Sequence, residues 1–184
     1  MSVTHYHFAG GDTGLWRVTV HKTLVGDPLV PVQGLTVLES PAAPMPAHWV
    51  LRGFTSNARY ATRSEITALR TTQEGLGRAT ARCAALIPIR KNAAWWALAQ
   101  DERRAIFEEQ SRHTAIGLRH LPAIARQLHH SRDLGEPFDF LTWFEYSPAD
   151  AGGFDDLLAS LRATPEWRYV DRETEIRLER AGLQ

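Results

Sequence analysis

The sequence predicts an α+β protein with two ferredoxin-like units in tandem, the first of them truncated. The second half of the 184 residues has the element order β-α-β-β-α-β of a ferredoxin-like unit. The first half is rich in short strands and turns, which fits a degenerate copy of the same unit that lacks a helix. Two glycines within residues 72–80 indicate a boundary, so we predict an N-terminal half over residues 1–80 and a C-terminal half over residues 81–184.

The first half contains three predicted strands and one short helix. Apolar and β-branched residues alternate with polar ones over residues 15–20, and the runs 35–38 and 49–54 have a similar character. Residues 64–70 have a helical pattern, with Ser64 as the candidate N-cap.

The second half has longer and more regular elements. An apolar strand over residues 84–90 contains Pro88, which predicts an edge position or a bulge. A helix of about five turns covers residues 102–121 and ends near Pro122. The remaining predicted elements are strands at 126–131, 138–146 and 167–178 and a helix at 150–162.

The composition excludes several functional classes. The 21 Lys and Arg balance the 21 Asp and Glu, so the basic excess of a nonspecific nucleic-acid binder is absent. Cys83 is the single cysteine, which excludes an intramolecular disulfide and a multi-cysteine metal site. No apolar run reaches the roughly 18 residues of a membrane helix. The first residues also lack the pattern of a secretory signal, so we expect a cytoplasmic protein without membrane partners.

One histidine lies at the centre of the apolar face of the predicted helix 102–121. At 100° per residue, His113 points inward, and Gly117 removes side-chain volume one turn further along. This arrangement is compatible with a flat ligand such as a porphyrin. A hydrogen-bonded core histidine and a glycine that serves close helix packing explain the same pattern, and periodicity alone favours them. His120 is nearly as inward but lies beside the helix end.

Two predicted strands place an arginine among apolar side chains. Arg126, Leu128 and His130 share one face of their strand by the period-two rule. If this face meets that of the next strand, Arg126 projects into a pocket whose walls are Leu128, Thr142 and Phe144. A guanidinium buried among apolar groups favours an anion. The alternative is a structural ion pair, for which the available partners are Asp133, Asp139 and Glu145.

Several linked blocks of sequence occur in a characteristic order along the second half. They are IPIRK at 87–91 with Trp95-Trp96, ERR at 102–104, QSRH at 110–113, PAIARQL at 122–128, FDFLTWFE at 138–145 and LRATPEWRYV at 161–170. Together they resemble the chlorite dismutase family, closely over residues 84–178 and faintly over the first 50. The short chain is similar to the small, dimeric branch of that family.

The resemblance implies a fold, a cofactor and a reaction. The tandem units are expected to form a β-barrel flanked by helices, in a homodimer with one haem b per subunit in the C-terminal half. His113 matches the proximal iron ligand, and Arg126 matches the distal arginine. The implied reaction converts chlorite to chloride and O₂ through a ferryl intermediate and formation of an O–O bond, with Arg126 retaining the hypochlorite fragment near the iron.

Further residues receive roles from the same resemblance. Glu166 matches the carboxylate that accepts the second N–H of the proximal histidine, with Glu173 as the alternative. Lys91 and Tyr60 match contacts to a haem propionate. Trp95 and Trp96 resemble residues that pack against the haem edge, and an ordinary core position is the alternative for both. The residues expected to restrict the space beside the iron are Leu128, Thr142 and Phe144.

Three other functions are compatible with this sequence. The related coproheme decarboxylases bind the porphyrin as substrate, but one major branch of them has a neutral residue where this chain has Arg126. A non-catalytic haem-binding module would keep His113 without needing a charged distal residue. A haem-free ferredoxin-like dimer would use both residues structurally.

Overall fold

Eight antiparallel strands form a closed barrel in the computed structural model, which describes residues 4–40, 45–55 and 62–182. The strands are β1 His5–Gly11, β2 Trp16–Val25, β3 Gly34–Glu39, β4 Trp49–Phe54, β5 Cys83–Lys91, β6 Ala125–His130, β7 Phe140–Tyr146 and β8 Val170–Arg180. The helices are α1 Arg63–Thr72, α2 Ala93–Ala97, α3 Gln100–Arg104, α4 His113–Arg119 and α5 Ala151–Arg162, with a π-helical turn at Ala105–Gln110 and short 3₁₀ turns at Arg132–Leu134, Pro148–Asp150 and Pro165–Tyr169. None of the helices within the described residues is long and apolar enough to cross a membrane.

The strand order confirms the prediction of two ferredoxin-like units in tandem. Within the barrel order β1-β3-β2-β8-β5-β7-β6-β4, the second half reads β8-β5-β7-β6. The first half reads β4-β1-β3-β2, which repeats the same pattern of fourth, first, third and second strand. Pairing of β2 with β8 and of β4 with β6 closes the barrel. The described part of the first half has no helix between its strands, so this unit is truncated as predicted.

Two apolar layers hold the fold together. The first fills the barrel interior, where Phe8, Leu35, Phe138 and Leu141 are fully buried. The second lies between the outer face of β5 and β7 and the helices α4 and α5. Each such large side chain contributes about 1.5–3 kcal/mol on burial. The second layer is the one interrupted by a cavity, so the site lies outside the barrel and under the helices.

The prediction of an edge position or a bulge at Pro88 is wrong. β5 lies between β7 and β8, and a closed barrel has no edge strands. Pro88 pairs with Leu141 of β7, while the pairing with β8 passes from Leu86 to Ile89 without involving Pro88. The missing N–H of the proline therefore falls at an interruption of the second ladder, where it costs no hydrogen bond. The one irregularity of β5 lies at its end, between Arg90 and Lys91.

The prediction of one continuous helix over residues 102–121 is also wrong. Helix α3 passes into the π-helical turn, and Arg112 then adopts a left-handed conformation with φ of 51°, after which α4 begins at His113. Side chains stabilise the break, because a Glu108 oxygen accepts the Thr114 N–H and the Ser111 hydroxyl accepts the Glu166 N–H. Ser111 is consequently buried. Periodicity detects apolar faces and misses a single residue that reverses its φ angle.

Two smaller differences concern the first half. Strand β1 is missing from the predicted elements because its glycines resemble a turn. The N-cap of α1 is Thr62 in place of Ser64, since the Thr62 hydroxyl accepts the Glu65 N–H and the Glu65 carboxylate accepts the Thr62 N–H. This reciprocal pair is a capping box, which satisfies two backbone groups at once.

Candidate functional site

A cavity of about 490 Å³ lies between the outer face of the barrel and the helices of the second half. Its floor consists of residues from β5, β6 and β7, and its roof of residues from the π-helical turn, α4 and α5. Apolar side chains dominate the wall, including Ile87, Phe107, Phe140, Phe144 and Leu161. The volume lies within the range of about 300–1,000 Å³ that is usual for cofactor and ligand pockets.

His113 enters the cavity as the first residue of α4, and its ring is fixed on two sides. Its Nδ1 lies 2.7 Å from Glu166 Oε2, and its ring stacks on Phe107 at a centroid distance of 4.3 Å. Burial raises the pKa of Glu166, but the contacts with His113 and Lys91 outweigh this effect and lower that pKa to about 2. Glu166 is therefore an anion that accepts the Nδ1–H, which leaves Nε2 as the nitrogen available to a metal.

Lys91 completes this hydrogen-bonded chain from the other side of Glu166. Its Nζ lies 2.7 Å from Glu166 Oε1, and only 5% of the lysine is exposed. The ammonium lies over the rings of Trp95, at 4.6 Å, and Trp167, at 5.5 Å. Burial lowers the pKa of Lys91, while Glu166 acts in the opposite direction. The propionate contact implied for Lys91 stays a prediction, because the structure directs this ammonium at Glu166.

Glu166 and the alternative carboxylate, Glu173, lie in different elements and have different partners. Glu166 lies in the 3₁₀ turn Pro165–Tyr169, and its N–H donates to the hydroxyl of Ser111, immediately before the break that precedes α4. Glu173 lies in β8 and accepts hydrogen bonds from Arg162 and from the indole of Trp167. The structure thus brings Glu166, and not Glu173, to His113.

Arg126 faces the same cavity from β6. The register pairs Arg126 with Phe144 and Leu128 with Thr142, so the two strand faces coincide as the sequence pattern requires. All four residues line the cavity, and Leu128 is 44% exposed near the opening. Burial lowers the pKa of Arg126, and the charge of Glu108 opposes that change.

The structure does not support the alternative of an ion pair for Arg126. Asp139 accepts hydrogen bonds from the Lys91 N–H and the Trp96 indole, and Glu145 accepts them from Gly77 and Trp143. Within residues 4–40, 45–55 and 62–182, no carboxylate forms a salt bridge with the Arg126 guanidinium. This cation faces the cavity without a salt-bridge partner from those parts of the chain, and Glu108 acts on it only as a nearby charge.

Gly117 of α4 lies against the guanidinium of Arg126. A Cβ atom added at Gly117 would lie 3.4 Å from Cζ of Arg126 and 3.5 and 3.6 Å from its two terminal nitrogens. These distances are ordinary van der Waals contacts, so the guanidinium packs beside α4 at this glycine. The close approach fits the packing role that periodicity favours for Gly117, and room for a flat ligand at this position stays a prediction.

The first half also contributes to the cavity, which the sequence pattern does not show. Leu69, Arg70 and Gln73, at the C-terminal end of α1, line it together with Thr55 after β4. The Gln73 side-chain amide donates to the backbone carbonyl of Arg126 at 2.9 Å. The helical pattern of residues 64–70 predicts α1 itself, but its docking on α4 depends on tertiary contacts that no local signal records.

The remaining predicted residues have different positions relative to the cavity. Trp95 lines it, whereas Trp96 lies one layer away, stacked on Phe140 with its indole N–H on Asp139. His120 is the C-cap of α4 and is not a lining residue, whereas His113 and His130 both line the cavity. Of these two, His113 is the one whose ring is held by a buried carboxylate. Tyr60 lies outside the described residues.

Comparison with known proteins identifies the family. The family model described as chlorite dismutase matches residues 39–180, which is most of the chain. The chain belongs to the chlorite dismutase family. A chlorite dismutase from Ideonella dechloratans is 40% identical over 88 residues, 48% of this chain. That alignment spans only 29% of the relative's length.

Solved structures of chlorite dismutases agree with the barrel described above. The dimeric chlorite dismutase from Nitrobacter winogradskyi is 55% identical, with a TM-score of 0.89 over 96% of this chain and 99% of that chain. The chlorite dismutase from Candidatus Nitrospira defluvii in complex with imidazole is 21% identical, with a TM-score of 0.67 over 96% and 91% of the two chains. The second likeness shows the shared fold alone.

The residues of the cavity fit a haem group. A single imidazole suits an iron that already has four ligands from a macrocycle, and a carboxylate on the opposite ring nitrogen raises the basicity of the imidazole as a ligand. Nδ1 of His113 is held by Glu166, so Nε2 is the nitrogen that would bind the iron. The apolar wall suits the faces of a porphyrin.

Proposed function

We propose that this protein is a haem b-dependent chlorite dismutase that converts chlorite to chloride and O₂ as a homodimer. One observation carries the proposal: the Glu166-bound imidazole of His113 and the guanidinium of Arg126 line the same apolar cavity. The imidazole offers a metal ligand, and the arginine offers a fixed charge for a small anion. The 55% identity with the dimeric enzyme from Nitrobacter winogradskyi supports the homodimer and the reaction.

The reaction needs no other reactant. Chlorite contains one chlorine and two oxygen atoms with a single negative charge, and chloride plus O₂ contain the same atoms and the same charge. Haem, when bound, would supply an iron that accepts an oxygen atom from chlorite and returns it for O–O bond formation. The protein must therefore bind an anion, retain the chlorine-containing fragment and release two small products.

Arg126 performs the binding and the retention in this proposal. A guanidinium stays cationic at physiological pH, and its attraction for an anion is stronger in a drier cavity than in water. Chlorite and the hypochlorite fragment both carry a negative charge, so the same group holds each of them. Leu128, Thr142 and Phe144 reduce the space through which the fragment escapes. Retention matters because free hypochlorite oxidises nearby tryptophans.

His113, Glu166 and Lys91 form the supporting side of the site. The carboxylate of Glu166 fixes the orientation of the imidazole and keeps the proton on Nδ1. Lys91 holds the second oxygen of Glu166, so the carboxylate cannot rotate away from the histidine without losing a buried ion pair. These three residues would hold the iron of a bound haem in one position.

The Arg126 cation in the cavity also favours chlorite dismutation over the alternative functions. Coproheme decarboxylation and passive haem binding do not require a cation for a small anion, whereas chlorite dismutation does. If Arg126 had a structural role, a carboxylate would pair with its guanidinium. No carboxylate among the described residues lies within salt-bridge distance of it. The geometry therefore supports chlorite as the substrate.

Oxygen release on addition of chlorite to the haem-loaded protein tests the proposal. We expect one O₂ for each chlorite consumed, measured with an oxygen electrode while the Soret band of the haem is recorded. A haem protein that releases no O₂ contradicts the proposal, and conversion of coproheme with peroxide would then identify the decarboxylase. A protein that retains no haem would contradict the site itself.

A further inference from the structure

We propose that Arg70, on α1, attracts small oxyanions to the mouth of the cavity and so increases the rate at which they reach Arg126. This inference rests on the proposed function and extends it to a residue of the first half. Arg70 is exposed to solvent and at the same time lines the cavity. It is therefore placed where an incoming ligand passes from solvent to the interior.

The charge of Arg70 is not neutralised by its surroundings. Glu65, on the same helix, binds Arg104 at 2.8 Å, and Glu74, just after the helix, binds Arg78 at 2.7 Å. Among the described lining residues, Glu166 is the one carboxylate, and it is engaged by Lys91 and His113. In the parts of the chain that the structure describes, Arg70 itself has no acidic partner.

Helix α1 places Arg70 close to the inner arginine. Gln73 follows Arg70 by three residues, and residues at this spacing are neighbours on a helix surface. The Gln73 amide donates to the carbonyl of Arg126, so the end of α1 that carries Arg70 contacts the strand that carries Arg126. Two cations thus follow one another from the rim of the cavity to its interior. Such an arrangement raises the local concentration of anions and their association rate.

The test compares an anionic ligand with a neutral one. Association of nitrite and of imidazole with the haem-loaded protein is followed by stopped-flow Soret spectroscopy at about pH 8, where imidazole is mostly neutral. The variants are Arg70→Gln, Arg70→Glu and Arg70→Lys. The matched control is Arg63→Gln, because Arg63 is exposed on the same helix but does not line the cavity.

We expect Arg70→Gln to reduce the nitrite association rate about twofold and Arg70→Glu about fourfold at an ionic strength of about 10 mM, where charges act over roughly 30 Å. Both effects should vanish at about 0.5 M salt, where charges are screened within a few ångströms. Imidazole association should not change in any variant. Arg70→Lys should retain the rate of the unmodified protein, and Arg63→Gln should reduce it less than Arg70→Gln does, because Arg63 lies about two turns further from the cavity.

Two results would overturn the inference. Equal losses for nitrite and imidazole would show that Arg70 supports the fold of the cavity and does not attract anions. An unchanged nitrite rate with faster haem dissociation would show that the guanidinium serves a propionate instead. Because nitrite and imidazole binding need haem but no turnover, a protein that releases no O₂ from chlorite would refute the proposed function while the salt dependence still decides the role of Arg70.

Discussion

The two sides of the cavity differ in whether their charged groups have salt-bridge partners. On the α4 side, Lys91, Glu166 and His113 are joined by two contacts of 2.7 Å, and both carboxylate oxygens of Glu166 have partners. On the β6 side, Arg126 has no salt bridge to any described residue and rests against Gly117. Burial of a charge costs free energy unless a partner compensates it. On the α4 side the charged groups pair with one another. On the β6 side Arg126 gains a salt-bridge partner only when an anion is bound.

This difference indicates that the α4 side supports the site and that the β6 side binds a ligand. A saturated network holds a ligand atom in one place, because each group in it is restrained by another. An unpaired cation in a cavity cannot be justified by stability and is typical of a binding site. The two sides should consequently respond in opposite ways to substitution: the α4 side should lose stability, and the β6 side should lose function.

The largest effect is expected from Glu166→Ala. The change leaves the Lys91 ammonium buried without its carboxylate, and breaking a buried pair in this way costs about 3–5 kcal/mol. Urea unfolding of the haem-free protein measures the loss. Asp171→Ala is the control, since its pair with Arg90 is partly exposed and contributes about 1 kcal/mol or less.

A second variant identifies the cause of that loss. Adding Lys91→Met to Glu166→Ala should recover a large part of the stability, because no unpaired ammonium then stays buried. If the double variant is as unstable as the single one, the loss arises from repacking of the 3₁₀ turn. The comparison between the two sides would then lose its electrostatic basis.

Arg126→Ala should lose activity without losing stability. We expect kcat/KM for chlorite to fall about 10²–10³-fold, the usual consequence of removing one group that stabilises developing negative charge. Haem content and the free energy of unfolding should stay the same or increase, since an unpaired buried cation is removed. Oxygen release measures turnover, the Soret band measures haem content, and urea unfolding measures the free energy of unfolding. A loss of haem together with activity would assign Arg126 to cofactor binding.

The sequence predicts the β6 side better than the α4 side, for a physical reason. The walls around Arg126 follow from the strict alternation of side chains in two adjacent strands, which the register of β6 and β7 preserves. His113 is predicted from a continuous helix, yet it is the first residue of α4 after a break. The histidine reaches the cavity because Arg112 takes a left-handed conformation and Ser111 holds Glu166, and neither feature has a periodic signature.

Long-range contacts account for what the sequence does not predict. The pairing of Lys91 with Glu166 joins residues 75 positions apart, and the contact of Gln73 with Arg126 joins residues 53 positions apart. Resemblance to the family implies Glu166 as the partner of His113, with Glu173 as the alternative if the register shifts, and the contact in the structure is with Glu166. The barrel follows from the element order of the second half only when the first half is accepted as a degenerate copy.

The barrel interior is a third environment, in which a titratable side chain is buried away from both sides of the cavity. His129 is buried there, its Nδ1 bonds to the carbonyl of Leu141, and its Nε2 has no partner among the described residues. Burial lowers the pKa of His129 from 6.5 to about 4. Between these values the unfolded chain binds more protons than the folded one, so stability falls as the pH is lowered from 6.5 to 4, by about 3 kcal/mol in total.

His129→Asn should remove this pH dependence, because its amide nitrogen matches the position of Nδ1 and can still donate to the carbonyl of Leu141 but does not titrate. Urea unfolding at several values between neutral pH and the lower end of that window provides the measurement. The variant should lose less stability on acidification than the unmodified protein. Parallel losses in both proteins would assign the acid sensitivity to other groups.

The smallest effect is expected from Gly117→Ala, at the point where the two sides of the cavity meet. Alanine in a helix interior is favoured over glycine by about 0.5–1 kcal/mol, so α4 should become more stable. The added Cβ would lie 3.4 Å from the Arg126 guanidinium, close enough for contact and far enough to need only a small shift. Since no carboxylate among the described residues fixes this guanidinium, it should move without loss of chlorite turnover. A fall in turnover of tenfold or more, with unfolding free energy raised, would show instead that Arg126 must rest on Gly117 to bind its anion.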